Sequence, residues 1–157
     1  MKKFTAYLTT LFAFSLICLS SIAHAQSPAE TSIKYRQAVY SVMGYHFGGI
    51  LVPMVRGEKP YDKEAFARSA GIVAQMAPLA QEGFTPGSDK GTDKTPTKAK
   101  PEIWAKAADF KSKMDNMNLE ATKLAQLSRT ASFDDLKKQF GVTGATCKAC
   151  HDDYRNK

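Results

Sequence analysis

The sequence is short of the residues from which most metal and redox sites are assembled. Its 157 residues include 3 cysteines, 3 histidines and 1 tryptophan. Two of these scarce residues, Cys18 and His24, fall in a stretch that reads as an export leader. That stretch has a charged start, Met1-Lys2-Lys3, an apolar run from about Tyr7 to Ile22, and the small-residue site Ala23-His24-Ala25. The run is short of the roughly 20 residues that a membrane span needs. Cleavage after Ala25 is expected, with an uncleaved anchor as the alternative, and residues 26–157 then form one domain with one core. The processed chain keeps only Cys147, Cys150, His46 and His151 as thiols and imidazoles. These are too few and too scattered for a four-ligand zinc site. No strand signal is found, so the βαβ surroundings of a thioredoxin-type Cys-x-x-Cys are absent as well. No nucleic-acid motif is visible, and no membrane contact is expected after cleavage. Acidic residues are the minority, 15 against 22 basic, for a formal charge of +7 that loss of Lys2 and Lys3 lowers by two. The residual excess is compatible with acidic redox partners or with ordinary solvated lysine.

What is present stands near the end of the chain: Cys147-Lys148-Ala149-Cys150-His151. Cys-x-x-Cys-His is the attachment site of a c-type haem. The two thiols add covalently to the haem vinyl groups, and the adjacent imidazole turns onto the iron. One helical turn brings both sulfurs and the ring to the same edge of the porphyrin. Any further iron ligand is expected from upstream.

Four stretches carry helical periodicity. The first, roughly 28–56, spaces Ile33, Arg36, Tyr40, Met43, Phe47, Ile50 and Met54 by threes and fours. Pro53 should loosen its last turn, and Gly57 is a natural stop. The second, roughly 62–82, has Asp62 as N-cap and Phe66, Ala70, Val73, Ala77 and Ala80 on one face, with Pro78 near its end. Residues 83–100 read as the one long loop. The third, roughly 101–129, opens on Pro101 and repeats Ile103, Ala107, Phe110, Met114, Met117, Ala121, Leu124 and Ser128, with Trp104 beside the core edge. The fourth, roughly 132–155, starts on a capping-box-like Ser132 and Asp135 and turns Phe133, Leu136, Phe140, Thr143, Cys147, Cys150 and Tyr154 inward. Gly141 and Gly144 weaken it by about 1 kcal/mol each relative to Ala. Either they leave room for a flat porphyrin or the helix is weak there and rescued by packing. The expected fold is all-α, an antiparallel up-down-up-down four-helix bundle with covalently bound haem in its core.

At this point the chain resembles a family. Lys34-Tyr35-Arg36-Gln37, Met43, His46-Phe47-Gly48, Lys100-Pro101-Glu102-Ile103-Trp104 and the run Gly144–Arg155 are similar to the class II c-type cytochromes of bacterial periplasms, cytochrome c′. The resemblance spans essentially the whole processed chain. It implies one haem c, a periplasmic location, and a five-coordinate high-spin iron with His151 as proximal ligand. It implies Arg36 and Gln37 near the haem propionates, which fits the fork of guanidinium donors; a solvated Arg36 is the plain alternative. It puts Tyr40 over the distal iron face, and Arg155 close to the proximal imidazole unless that arginine frays. It also implies a homodimer built on the first two helices, where Gly44 and Gly48 permit close approach or instead pack within the subunit.

Three functions compete. A gas-binding haemoprotein would take nitric oxide, and carbon monoxide when reduced, through the open iron position. A low-spin electron carrier would need a second strong ligand; Met43 is the nearest first-helix methionine, but Tyr40 occupies the position where low-spin relatives place theirs. Met54, Met76, Met114 and Met117 read as core fillers, and His46 as a surface or interhelical residue. A peroxidase would need a distal acid–base pair, and none is well placed. The reading is a non-enzymatic gas-binding protein, also capable of electron transfer with a redox partner protein.

Overall fold

The computed structural model describes residues 27–157, so the leader and its cleavage site lie outside the described residues. The elements are α1 (Pro28–Gly44), a π-helical segment (Tyr45–Leu51), α2 (Val52–Val55), α3 (Lys63–Glu82), α4 (Glu102–Ala105), α5 (Ala107–Leu127) and α6 (Phe133–Tyr154). They form four antiparallel rods. The first runs from α1 to α2, α3 is the second, α4 and α5 make the third, and α6 is the fourth. Isolated bridges join Thr92 to Thr95 and Ala99 to Arg155, and there are no strands among the described residues.

Local chemistry sets the ends. Ser27 and Glu30 form a reciprocal capping box on α1, with Glu30 N donating to Ser27 Oγ at 3.1 Å and Ser27 N to Glu30 Oε2 at 3.2 Å. Asp62 caps α3 as expected, accepting from Ala65 N at 3.0 Å. Ser132 accepts from Asp135 N at 3.2 Å, but the second half of the expected box differs. The Ser132 hydroxyl donates to Asp135 Oδ2 at 2.7 Å, because Asp is one methylene too short to reach back to the cap amide. After α2 the chain stops on Gly57, whose φ of +74° only glycine adopts freely.

Two expected helices are interrupted. The first carries its π segment immediately before Pro53. A proline ring collides with the carbonyl four residues back, here Gly49, and the wider π turn relieves that collision. The extra residue shifts the phase of the helix. Ile33, Arg36, Val39 and Met43 point inward as the α period requires, but further on Leu51 and Met54 are buried and Ile50 is only half-buried. The third helix breaks at Lys106, where φ is −119° and ψ is 44°. The break lets α4 bring Ile103 into the core and Trp104 against it, while Phe110 N still donates to Lys106 O at 3.0 Å.

The core has two lobes. One collects Leu51, Met54, Phe66, Ala70, Leu124 and Leu136, closed by Tyr61 stacked on Phe133 at 4.0 Å between ring centroids. The other collects Val39, Met43, Val73, Ala77, Ala80, Ile103, Phe110, Met114, Met117, Ala121 and Tyr154. Phe47, stacked on Phe140 at 4.3 Å, lies between them. Gly144 faces this ring: a Cβ there would lie in ordinary contact with Phe47, at 3.7 Å. Gly141 has no such neighbour, because it is exposed and a Cβ would meet nothing within 4 Å. Gly44 and Gly48 likewise face open space, which removes the alternative that they pack within the subunit.

Candidate functional site

The second lobe ends on the last turns of α6. Cys147 and Cys150 are free, half-buried thiols packed against that lobe, beside Tyr40, Phe84 and Trp104. Burial raises the Cys147 thiol and pushes Cys150 up to about 11. Both stay protonated at neutral pH, and S–H is the form that adds across a vinyl double bond, sulfur to one carbon and hydrogen to the other. His151 is exposed on the same turn. Burial of part of its ring and then the charge of Arg155 hold its pKa below the usual histidine value, which favours the neutral, ligating imidazole.

Across from α6 stands α1. Tyr40 of α1 senses the thiols: burial raises its phenol pKa, and the nearby Cys150 and then Cys147 raise it further. Its hydroxyl makes only a weak contact with Met114 Sδ at 4.0 Å, and its ring meets Phe84 edge-on at 6.4 Å. Phe84 in turn meets Phe110 at 4.9 Å, and Phe110 meets Tyr154 at 5.3 Å. Met43 lies in the hydrocarbon of this lobe and makes no polar contact. His46 is interhelical, with Nδ1 3.2 Å from Ser69 Oγ on α3.

Arg36 is buried, at 3 % exposure, which overturns the solvated alternative. Its terminal nitrogens donate to Gly83 O at 2.8 Å, Ser88 Oγ at 2.7 Å, Ser88 O at 2.6 Å and Thr97 Oγ1 at 2.7 Å. Gln37 Nε2 donates to Pro96 O at 2.7 Å. Both residues therefore fasten the 83–97 loop, a role that spacing along α1 gave no reason to expect. At the other end of the loop, Tyr154 donates to Asp109 Oδ2 at 2.5 Å and ties the end of α6 to the start of α5. Arg155 is exposed, and its backbone pairs with Ala99.

A haem fits this lobe. Its lining is apolar and aromatic, with small Ala77, Ala80 and Ala121 among the larger side chains, and two thiols one turn apart stand at its edge. Trp104 Nε1 is buried without a partner, a donor suited to an acidic group. Cys147 and Cys150 would hold the haem, and His151 would bind its iron.

Comparison with known proteins agrees. The family model described as Cytochrome C′ matches residues 31–155. A cytochrome c′ of Alcaligenes xylosoxydans xylosoxydans is 37% identical over 128 residues, covering 82% of this chain and 95% of the relative. Among solved structures, cytochrome c prime from Shewanella frigidimarina superimposes with a TM-score of 0.78 at 36% identity, covering 85% of this chain and all of that one. A nitric oxide complex of a leucine-to-alanine mutant of cytochrome c prime from Alcaligenes xylosoxidans superimposes with a TM-score of 0.74 at 36% identity, covering 85% of this chain and 99% of that one. With its four-helix fold and its Cys147–His151 attachment motif for haem c, the chain belongs to the cytochrome c′ family.

Proposed function

We propose that this protein is a periplasmic gas-binding haemoprotein whose iron is five-coordinate and high-spin, binding nitric oxide and carbon monoxide and able to exchange electrons with a partner protein. The observation that carries it is Tyr40. A protonated, half-buried phenol faces the thiol pair in the part of α1 where a sixth ligand would have to arise. A phenol ionises near pH 10 even in water, and burial moves it further from the ligating phenolate. Tyr40 thus closes the distal side sterically without coordinating. Met43 is taken up by core packing and His46 by Ser69, which leaves α1 without a spare strong ligand.

Haem, when bound, supplies an iron that takes a diatomic ligand on its open side. The chain's residues do the rest. Cys147 and Cys150 hold the cofactor, and His151 supplies the proximal nitrogen. Arg36 and Gln37 fasten the loop beside the propionate side, with Arg36 adding fixed positive charge, and Trp104 offers its N–H. Arg155 sets charge near the proximal ring. Tyr40 stands where a diatomic reaching the iron would have to displace it, and the apolar walls would exclude larger or anionic ligands. Nothing in this set forms the acid–base pair of a peroxidase, and the role is binding and transfer rather than catalysis. Export with cleavage after Ala25 brings the chain to the compartment in which this family works.

A homodimer built mainly on the first two helices is part of the reading. Tyr45 is 65 % exposed and Val42 40 %, and both stand on the outward side of the first rod with Gly48 and Gly49.

Optical and resonance Raman spectra of the ferric protein test the coordination. A high-spin five-coordinate pattern is expected; a low-spin spectrum with a methionine–iron band would replace the reading by a dedicated electron carrier using Met43. Tyr40→Ala should bind carbon monoxide faster and more tightly, and Tyr40→Met should move the iron towards low spin. Unchanged kinetics and spectra in both would remove Tyr40 from the distal side.

A further inference from the structure

The last turn of α6 holds His151, and it ends without a helix-terminating glycine: its C-cap is Arg155, in extended conformation at φ −122° and ψ 129°. A helix end leaves its last four carbonyls without intrahelical donors. The last helical carbonyls here are those of His151, Asp152, Asp153 and Tyr154. His151 O accepts from Arg155 N at 3.2 Å. The other three all accept from one residue of the loop. Lys100 Nζ donates to Asp152 O at 3.3 Å and to Asp153 O at 3.0 Å, and Lys100 N donates to Tyr154 O at 3.0 Å. Just beyond, Asn156 N donates to Lys98 O at 2.8 Å. The helix that carries the attachment motif is thus capped in trans, by a segment some fifty residues upstream in the sequence.

The cap is itself held. Its loop is fastened to α1 through Arg36 and Gln37, and it runs directly into Pro101 and α4. Its charge is also of the right sign, because a cation at a helix C-terminus meets the negative end of the macrodipole. No other side chain satisfies Asp152 O and Asp153 O, so without the Lys100 ammonium the turn bearing His151 keeps only the backbone bonds at its end.

We infer that Lys100 is a positioning residue for the proximal imidazole: it fixes the last turn of α6 and with it the direction from which His151 approaches the iron. This rests on the reading of His151 as the iron ligand. The same loop joins the α1 turn before Tyr40 to the α6 turn of His151, so one segment sets the geometry of both faces of the site.

The test uses the haem-loaded protein. In Lys100→Met the stem remains and both Nζ bonds go. The iron–histidine stretching band of the ferrous protein should broaden and move to lower frequency. Amide hydrogen exchange at Arg155 and Asn156 should quicken by about tenfold, the equivalent of one lost bond to a charged donor. Lys100→Arg, which keeps charge and donors, should restore both. If Lys100→Met does not accumulate with haem, Lys100→Gln, which keeps N–H donors without the charge, decides by the same band. An unchanged band and unchanged exchange in the neutral variant overturn the inference. His151→Ala serves as the control on the reading beneath it: if that variant keeps the wild-type band, it is His151 that fails as ligand, not Lys100 as its brace.

Discussion

The two lobes of the core are made of the same helices and obey different rules. The lobe around Phe66, Leu124 and Leu136 is finished by its own side chains: all three are fully buried, and Tyr61, Phe66 and Phe133 close on one another. The lobe around Cys147 and Cys150 is not. Its edge carries two free thiols, Cys147 and Cys150, and it holds a buried indole N–H with no partner. Interiors are packed as densely as organic crystals. A cofactor seated against the second lobe would add to that packing. One end of the bundle thus reads as a scaffold, and the other as a site whose packing a bound cofactor would complete.

The largest effect should come from denying the second lobe its cofactor. Cys147→Ser with Cys150→Ser should leave no haem attached after acid–acetone extraction. In that variant, amides flanking Phe110 and Tyr154 should exchange freely, while those flanking Phe66 and Leu136 keep much of their protection. Equal loss of protection at both ends would show that the bundle is one cooperative unit and break the comparison.

The reverse experiment damages the scaffold alone. Leu136→Ala removes a fully buried side chain from the first lobe, and such truncations cost about 2–5 kcal/mol. Denaturant unfolding should register that loss while the haem absorption bands stay where they were. A shifted spectrum would mean that strain passes between the lobes, and the Phe47–Phe140 stack is where it would cross.

The same contrast explains what the sequence alone discloses. The attachment motif, the four rods and the α3 cap at Asp62 were legible because each rests on local chemistry: a motif with one dominant meaning, a 3.6-residue period, a side chain that reaches its own backbone. Three features were not. The π slip that buries Leu51 in place of Ile50 depends on how the helix answers Pro53. The break at Lys106 falls among good helix formers, Ala105, Ala107 and Ala108, so it is imposed by the tertiary fold. The four bonds from Arg36 and the three from Lys100 join residues roughly fifty to sixty apart, and no periodicity reports such pairs. Thr143 was placed inward by its period, whereas the burial of Gln139 was missed for a related reason. Gln139 and Thr143 are buried because Glu120 on α5 satisfies them, at 2.6 Å for Gln139 Nε2 to Glu120 Oε2 and 3.1 Å for Thr143 Oγ1 to Glu120 O.

A smaller effect should appear at alkaline pH. Burial and then the bond to Asp109 push the Tyr154 phenol up to about 12. In the unfolded chain the same group ionises near pH 10. The folded state therefore holds a proton that the unfolded state releases. The contribution of this group is complete below about pH 10 and is lost as the pH rises from there towards 12. Tyr154→Phe should flatten that part of the stability–pH curve and leave the curve at neutral pH with the same slope. An unchanged alkaline limb would mean that the bond to Asp109 does not persist in solution.

The smallest effect separates two glycines of one helix. Gly141 and Gly144 both sit inside α6, where glycine is less favourable than alanine by about 0.5–1 kcal/mol. At Gly141 an added Cβ meets nothing within 4 Å, so Gly141→Ala should stabilise the protein by about that amount, a rise of a few degrees in the unfolding midpoint. At Gly144 the added methyl arrives 3.7 Å from Phe47, on the ring that links the lobes. That distance is ordinary contact, so the helix gain is offset only where Phe47 must yield. Gly144→Ala should therefore gain less than Gly141→Ala, and it alone should change the rate at which carbon monoxide binds, because Phe47 packs against both lobes. Equal gains with wild-type kinetics in both variants would mean that Phe47 moves aside without consequence and that Gly144, like Gly141, is merely a weak point in the helix.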